Sequence, residues 1–258
     1  MLPYIEILGR QVPTYGLMAG LALALGLAAA LARCRRFGLS ADDIAYIYVF
    51  GALGVAVGAK ALYLCTVLPE LAGELVWLWR APRLFFAKYF SGGFVFYGGM
   101  LGGLAGAAWS ARQYKVRLTD TLPVLVPALA LAHSVARIGC FCAGCCYGVP
   151  SQRFGIAFSA SAAAPNGVPL VPVQLYEAAA ELLIFCFLLW FTARPARARY
   201  ALYAWIFCYA PVRFVLEFWR GDAARGIFAG LSTSQWISLA LLAAAAGRLL
   251  WLRRQKTT

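Results

Sequence analysis

Three pairs of residues set the chemistry open to this sequence. His133 and Arg137 are four residues apart, as are Arg213 and Glu217, and Gln174 and Glu177 are three apart. On an α-helix each pair lies on one face. Arginine presents a planar fork that matches phosphate oxygens, and a carboxylate beside it holds the fork in place. Two such arginines describe a pocket for an anion. His133, the only histidine, places one turn before Arg137 the one side chain that titrates near neutrality without help. It reads either as a proton acceptor or as a structural hydrogen-bonder between helices.

The elements that must position these groups are hydrophobic. Hydrophobic residues make up 63% of the 258 and charged residues 13%, far from the balance of a soluble domain. Apolar runs lie near 14–32, 44–67, 92–111, 120–139, 174–193, 201–219 and 233–252, and about 18 apolar residues suffice to cross a bilayer core. The expected fold is an all-α membrane protein of about seven transmembrane helices, forming a single integral membrane domain over residues 1–258. No cleavage site follows the first run, so it is expected to remain as a membrane helix.

A net charge of +13 suggests nucleic acid in a soluble protein, but here the basic residues fall in short clusters between apolar runs. No nucleic-acid partner is expected. With the N-terminus outside, the inner loops and tail hold thirteen: Arg33, Arg35, Arg36, Arg112, Lys115, Arg117, Arg194, Arg197, Arg199, Arg248, Arg253, Arg254 and Lys256. Seven remain outside: Arg10, Arg80, Arg83, Lys88, Arg153, Arg220 and Arg225. The positive-inside rule then gives N-out, C-in. Trp77, Trp79, Phe85 and Phe86, interleaved with Arg80 and Arg83, suit the headgroup layer. A small extracytoplasmic head, about 140–173, is expected between the fourth and fifth helices.

Lys60, Arg137 and Arg213 fall inside the runs. An ionised group at the bilayer centre costs about 2.5–3.5 kcal/mol on insertion scales, so it is normally paired, solvated or functional. This topology brings Tyr15, Lys60, Tyr97, Arg137, Gln174, Glu177, Glu181, Arg213 and Glu217 to the outer part of the membrane. There the nearest abundant phosphate is a lipid headgroup, so membrane lipid is the expected partner. Lys60 and Glu181 also read as snorkelling or helix-locking groups. The glycines of Ser91-Gly92-Gly93, Gly98-Gly99 and Gly102-Gly103 allow either close helix packing or a broken, ligand-contacting helix.

Taken in order, Tyr15-Gly16-Leu17, Ser91 through Gly99, Arg137-Ile138-Gly139-Cys140-Phe141 to Gly148, Gln174-Leu175-Tyr176-Glu177, Arg213 through Arg220, and Gly230-Leu231-Ser232-Thr233-Ser234-Gln235 resemble the prolipoprotein diacylglyceryl transferases. The resemblance implies a multi-pass protein of the bacterial cytoplasmic (inner) membrane, with seven helices and a site open to the outer leaflet. Its activity would move the diacylglyceryl group of phosphatidylglycerol to a cysteine thiol of a secreted lipoprotein precursor, forming a thioether and releasing glycerol phosphate. It implies no cofactor or metal and a monomeric enzyme. Such chemistry needs a deprotonated thiol and a stabilised phosphate leaving group. Arg137 and Arg213 would hold the phosphate, Glu217 would orient Arg213, and Arg220 on the same face would draw in the anionic lipid. Tyr15 and Tyr209 would bond glycerol or phosphate oxygens. Gly148 would close the signature where a side chain blocks backbone approach, with Lys60, Gly98, Gly99, Cys140, Gln174 and Glu177 lining the substrate.

The chain departs from the family pattern at several positions. Cys140 stands for an asparagine and Cys145 for a glutamate, Tyr97 replaces the histidine before Gly98-Gly99, and Val171 replaces another. Tyr97, with an ordinary pKa near 10, is a poor base, so His133 is expected to take the proton-accepting role. Cys140, Cys142, Cys145 and Cys146 carry three readings: metal binding with His133, a disulfide or a Cys142–Cys145 exchange pair, or soft packing residues. Two other functions remain open on the residues alone, a quinone-linked membrane thiol oxidoreductase built on Cys142 and Cys145, and a non-enzymatic phospholipid-binding or transport protein.

Overall fold

Each apolar run becomes a helix in the computed structural model, which describes residues 3–7, 9–90, 92–222 and 226–255. The elements in order are β1 (Tyr4–Ile7), β2 (Arg10–Pro13), α1 (Thr14–Cys34), α2 (Ala41–Thr66), α3 (Leu68–Gly73), α4 (Val76–Arg80), α5 (Pro82–Phe90), α6 (Phe96–Gln113) and α7 (Leu118–Ala143). There follow β3 (Ile156–Ala157), β4 (Pro169–Leu170), α8 (Val173–Phe191), α9 (Pro195–Ala198), α10 (Ala201–Leu216), β5 (Ile227–Phe228), β6 (Leu231–Ser232) and α11 (Thr233–Arg254). The strands pair only as short antiparallel hairpins, so the chain is an all-α, multi-pass membrane protein. Among the described residues six helical segments are long and apolar enough to span: Thr14–Phe37, Ala41–Thr66, Leu118–Ala143, Val173–Phe191, Ala201–Trp219 and Thr233–Arg254. The third expected run is α6, whose glycines and terminal Arg112 and Gln113 dilute its hydropathy. Ser91, Arg225 and Lys256 lie outside the described residues.

Packing divides the chain into two compact units, Arg33–Thr121 and the pair of segments Met1–Ala32 and Leu122–Thr258. Ser40 caps the first turn of α2, its hydroxyl accepting from Asp43 N at 3.5 Å, and Asp42 and Asp43 face the positive helix end. The rest of this unit is a glycine seam. A Cβ at Gly54 would strike the Gly102 carbonyl, one at Gly58 the Gly98 carbonyl, and one at Gly106 the Phe50 carbonyl. Without a hydrophobic driving force between helices in lipid, such backbone contact is what holds α2 to α6. At Gly98-Gly99 and Gly102-Gly103 the structure shows close packing within an unbroken α6, while Gly92 and Gly93 precede that helix. On α5, Lys88 bonds Glu70 at 2.7 Å and Glu74 at 2.8 Å, tying α3 to α5 and holding the Glu74 carboxyl below the usual carboxylate range.

The other unit packs α7, α8, α10 and α11 through small residues. Ala130, Ala178, Ala201, Ala210 and Ala245 are all buried. An apolar layer of Val126, Ala130, Ile184, Leu188 and Ala201 fills one level of this bundle. Along α8 the buried residues Gln174, Glu177, Ala178, Glu181, Ile184 and Leu188 recur every three or four positions, a single helix face. That face is polar over its first turns and apolar beyond. Ser134 Oγ donates to Ala178 O at 2.7 Å, fixing α7 against α8 at the boundary. A capping box of Ser232 and Gln235 starts α11.

Between α7 and α8 the expected head is a loop with its own small core of Phe158, Ala164 and Leu170. It begins after Ala143, since α7 runs beyond the expected boundary at about 140. A Schellman motif ends the helix: Gly144, at φ +74°, has its N–H on Phe141 O, and Cys145 N–H bonds Cys140 O.

Candidate active site

Glu177 is the hub. It is 1% exposed, one turn into α8 behind Gln174, and three side chains from two other helices turn to it. Arg137 Nε on α7 approaches Oε2 at 3.0 Å, Arg213 Nη1 on α10 stands 3.9 Å from the same oxygen, and the Tyr209 hydroxyl donates to Oε1 at 2.7 Å. Tyr209 and Arg213 are one turn apart on α10 and so reach the carboxylate together. A buried carboxylate with several charge-assisted partners is a rigid anchor for both guanidinium groups.

Neither arginine is used up by these contacts. The Arg137 contacts run through Nε, which leaves the outer Nη fork. Arg213 Nη2 forms an ion pair with Glu217 Oε2 at 2.8 Å and donates to Ser234 Oγ at 3.1 Å, while its buried Nη1 makes no hydrogen bond among the described residues. The free donors are those a tetrahedral anion would take.

His133 is tied on both sides. Its Nδ1 lies 2.8 Å from Oε1 of Glu181, and an ionised carboxylate only accepts, so Nδ1 carries the proton. Nε2 is then the acceptor, facing Arg137 Nε at 3.1 Å and Glu177 Oε1 at 3.8 Å. Glu181, fully buried, also accepts from Trp205 Nε1 at 3.3 Å. A carboxylate thus sets the tautomer of an imidazole whose second nitrogen is basic, the orientation that a general base needs.

A model of the prolipoprotein diacylglyceryl transferase family matches residues 3–251. The chain belongs to that family. It is 34% identical over 92% of its length to a phosphatidylglycerol–prolipoprotein diacylglyceryl transferase 2 of Clostridium perfringens, covering 90% of that protein. A Clostridium tetani relative is 33% identical, over 91% of this chain and 90% of its own. One from Acinetobacter baumannii is 32% identical, over 90% and 85%. The family is one of transferases that act on lipoprotein precursors.

Within this member of the transferase family, the expected residues fall into three groups. His133, Arg137, Glu177, Tyr209, Arg213 and Glu217 come together as described. Tyr15 packs on α7, its ring 3.6 Å from the Cβ position of Gly139. Cys140 is buried at the end of α7. Gln174 and Gly148 hold the adjacent loop: Gln174 Nε2 donates to Cys145 O at 2.7 Å, and a Cβ at Gly148 would lie 2.5 Å from Val171 O and 2.7 Å from Trp219 O. Arg220 departs from the Arg213–Glu217 face. Helical winding ends at Trp219, and Arg220, extended and half-buried, forks onto Asp222 at 2.9 and 3.2 Å. Partial burial of Asp222 itself raises its carboxyl, with Arg220 pulling it the other way.

Lys60, Tyr97, Gly98 and Gly99 belong to the Arg33–Thr121 unit. Lys60 Nζ donates to three carbonyls, of Tyr89 at 3.0 Å, Gly92 at 2.5 Å and Gly93 at 3.2 Å, with the Phe94 ring 4.7 Å away. This is the locking reading of Lys60. Gly98 and Gly99 serve the seam with α2. Tyr97 opens α6, partly exposed.

Sequence reasoning left Glu181 undecided and did not single out Trp205 or Ser234. The signal for Glu181 was present, one turn after Glu177 on the same face. For the cysteines the structure groups Cys140, Cys145 and Cys146, their sulfurs all within 4.8 Å of one another, and neither Cys142 nor His133 belongs to the group. Of the Cys142–Cys145 exchange pair, only Cys145 belongs to this group. Hydrogen bonds from the Cys140 and Cys145 thiols, then the charges of Arg220 and Arg137, push the Cys146 thiol down, and Cys145 is pushed up in turn.

Proposed function

We propose that this protein transfers the diacylglyceryl group of phosphatidylglycerol to the cysteine thiol of a lipoprotein precursor. It does so as one membrane domain of seven spanning helices, α6 among them, in the bacterial inner membrane with N-out, C-in topology and the 144–172 loop outside. The observation that carries this reading is the convergence of Arg137, Arg213 and Tyr209 on Glu177, beside a histidine with its basic nitrogen turned inward.

The acceptor thiol gives its proton to His133 Nε2. Arg137 Nε, already 3.0 Å from Glu177 Oε2, keeps that bond and releases the imidazole. The thiolate attacks the glycerol methylene carbon that bears the phosphate, a carbon–sulfur bond forms, and the carbon–oxygen bond breaks with its electron pair on the phosphate oxygen. Glycerol phosphate leaves. The Arg137 fork and Arg213 Nη1 meet the charge that develops there, in a setting with little water to screen it. Glu181 stabilises the imidazolium as it forms.

The test is incubation of membranes carrying the protein with labelled phosphatidylglycerol and a precursor-like peptide containing one cysteine. A thioether-linked labelled lipid, absent when the cysteine is replaced by serine, is the expected product. Release of free diacylglycerol, or transfer independent of the thiol, would contradict the reading.

A further inference from the structure

The Schellman turn that ends α7 does more than terminate a helix. It sets Cys140 at the third position from the end against Cys145 just beyond it, where such turns usually place an apolar contact. Cys146 follows in the left-handed region at φ +59°, a conformation uncommon for any residue with a Cβ. Its sulfur thereby turns back onto the other two, all within 4.8 Å. Gln174 pins the carbonyl of Cys145 at 2.7 Å, so a buried side chain of α8 fixes the turn from behind.

We propose that Cys140, Cys145 and Cys146 form a binding site for one soft d10 metal ion, Cu(I) or Zn(II). A metal–sulfur bond of about 2.3 Å requires roughly 4 Å between sulfurs in a trigonal site. Closing from 4.8 Å takes only side-chain adjustment. Soft thiolates select these ions over Mg(II), Ca(II) or Mn(II). Three thiolates leave the complex negatively charged with either ion, and the positive charges of Arg220 and Arg137 act on Cys146 to offset it. A zinc ion would complete its coordination with solvent or a thiol; copper(I) is content with three sulfurs. Cys142 takes no part, and Cys34, Cys65, Cys186 and Cys208 fall outside the group.

The full-length protein in detergent, reduced with a phosphine and kept anaerobic, is titrated with Zn(II) and with Cu(I), each against a chromogenic chelator. One equivalent of one ion should be withdrawn from the chelator. Cys145→Ser and Cys146→Ser should each weaken this at least about tenfold, and Cys142→Ser should not. As a check that does not depend on the variants folding, bound metal should shield Cys140, Cys145 and Cys146 from alkylation, read by peptide mass spectrometry. Failure of the reduced protein to retain either ion, equal loss in Cys142→Ser, or protection of other cysteines would overturn the site. Spontaneous formation of a Cys140–Cys145 disulfide in air, with no metal retained after reduction, would assign the group to redox chemistry instead.

Discussion

His133→Gln separates the base from the scaffold. Glutamine reaches about as far as histidine and can donate its amide to Glu181, replacing the 2.8 Å bond from Nδ1, while its carbonyl accepts from Arg137 Nε in place of Nε2 at 3.1 Å. With both hydrogen bonds retained, the loss of stability should stay within about 1 kcal/mol. The basic nitrogen is gone, however, and a general-base contribution is worth about 10²–10⁴ in rate, or roughly 2.7–5.4 kcal/mol of activation free energy. The assay is initial rate of thioether formation at saturating lipid, alongside thermal unfolding in the same detergent. The variant should fall short of the parent by that factor while unfolding at a similar temperature. A variant with the parental rate would refute the assignment. His133→Ala is the informative contrast, since it strips a partner from a buried carboxylate and should cost about 1–3 kcal/mol of stability as well.

Arg213→Ala should abolish transfer while the protein still inserts, and Arg213→Lys should recover little because it lacks the planar fork; near-parental transfer by Arg213→Ala removes that residue from the mechanism. Glu181→Gln should lower kcat by roughly ten- to a hundredfold through the tautomer of His133, with the lipid KM unmoved. An effect confined to KM would place Glu181 at the substrate instead. Gly148→Ala puts a methyl 2.5 Å from one backbone oxygen and 2.7 Å from another, and should cost about 1–3 kcal/mol in thermal unfolding; an unchanged melting temperature would show that the chain yields there. Cys142→Ser should leave transfer intact, and its loss would reopen a role for that thiol.

The polar face of α8 was legible in advance, because Gln174 and Glu177 share a helix face whatever surrounds them, and the same spacing joined His133 to Arg137 and Arg213 to Glu217. Which partner each group takes was not. Glu181 and Lys60 read alike in the sequence, each as a snorkelling or helix-locking charge within an apolar run, yet Glu181 binds the histidine while Lys60 closes a turn of backbone carbonyls. Only the path of the chain distinguishes them. The Gly98-Gly99 pair was ambiguous for the same reason: the purpose of an absent side chain depends on what approaches, and here it is the backbone of α2. Arg220 seemed to extend the Arg213 face because periodicity assumes that a helix continues, whereas α10 ends at Leu216 and its last turn winds out at Trp219. The cysteine group was hidden most completely. Spacing suggested Cys142 with Cys145, whereas a left-handed glycine and the residue at Cys146 reverse the chain and choose different partners.

The two packing units also differ in how the chain supplies them. Arg33–Thr121 is continuous in sequence, while its counterpart joins Met1–Ala32 to Leu122–Thr258. During synthesis the α2–α6 seam can therefore close as soon as α6 is in the membrane. α1 must wait for helices not yet made. At about 5–20 residues per second, the stretch from Thr121 to the end of α11 at Arg254 takes roughly 7–27 s. The sequence of α1 tolerates that delay, since from Thr14 to Ala32 it carries no charge and loses nothing by facing lipid on every side. Of the costly groups, Lys60 finds its carbonyl partners within the early unit, while Arg137, Glu177, Glu181 and Arg213 are delivered together in the later segment, so each meets its partners within a few helices of its own emergence.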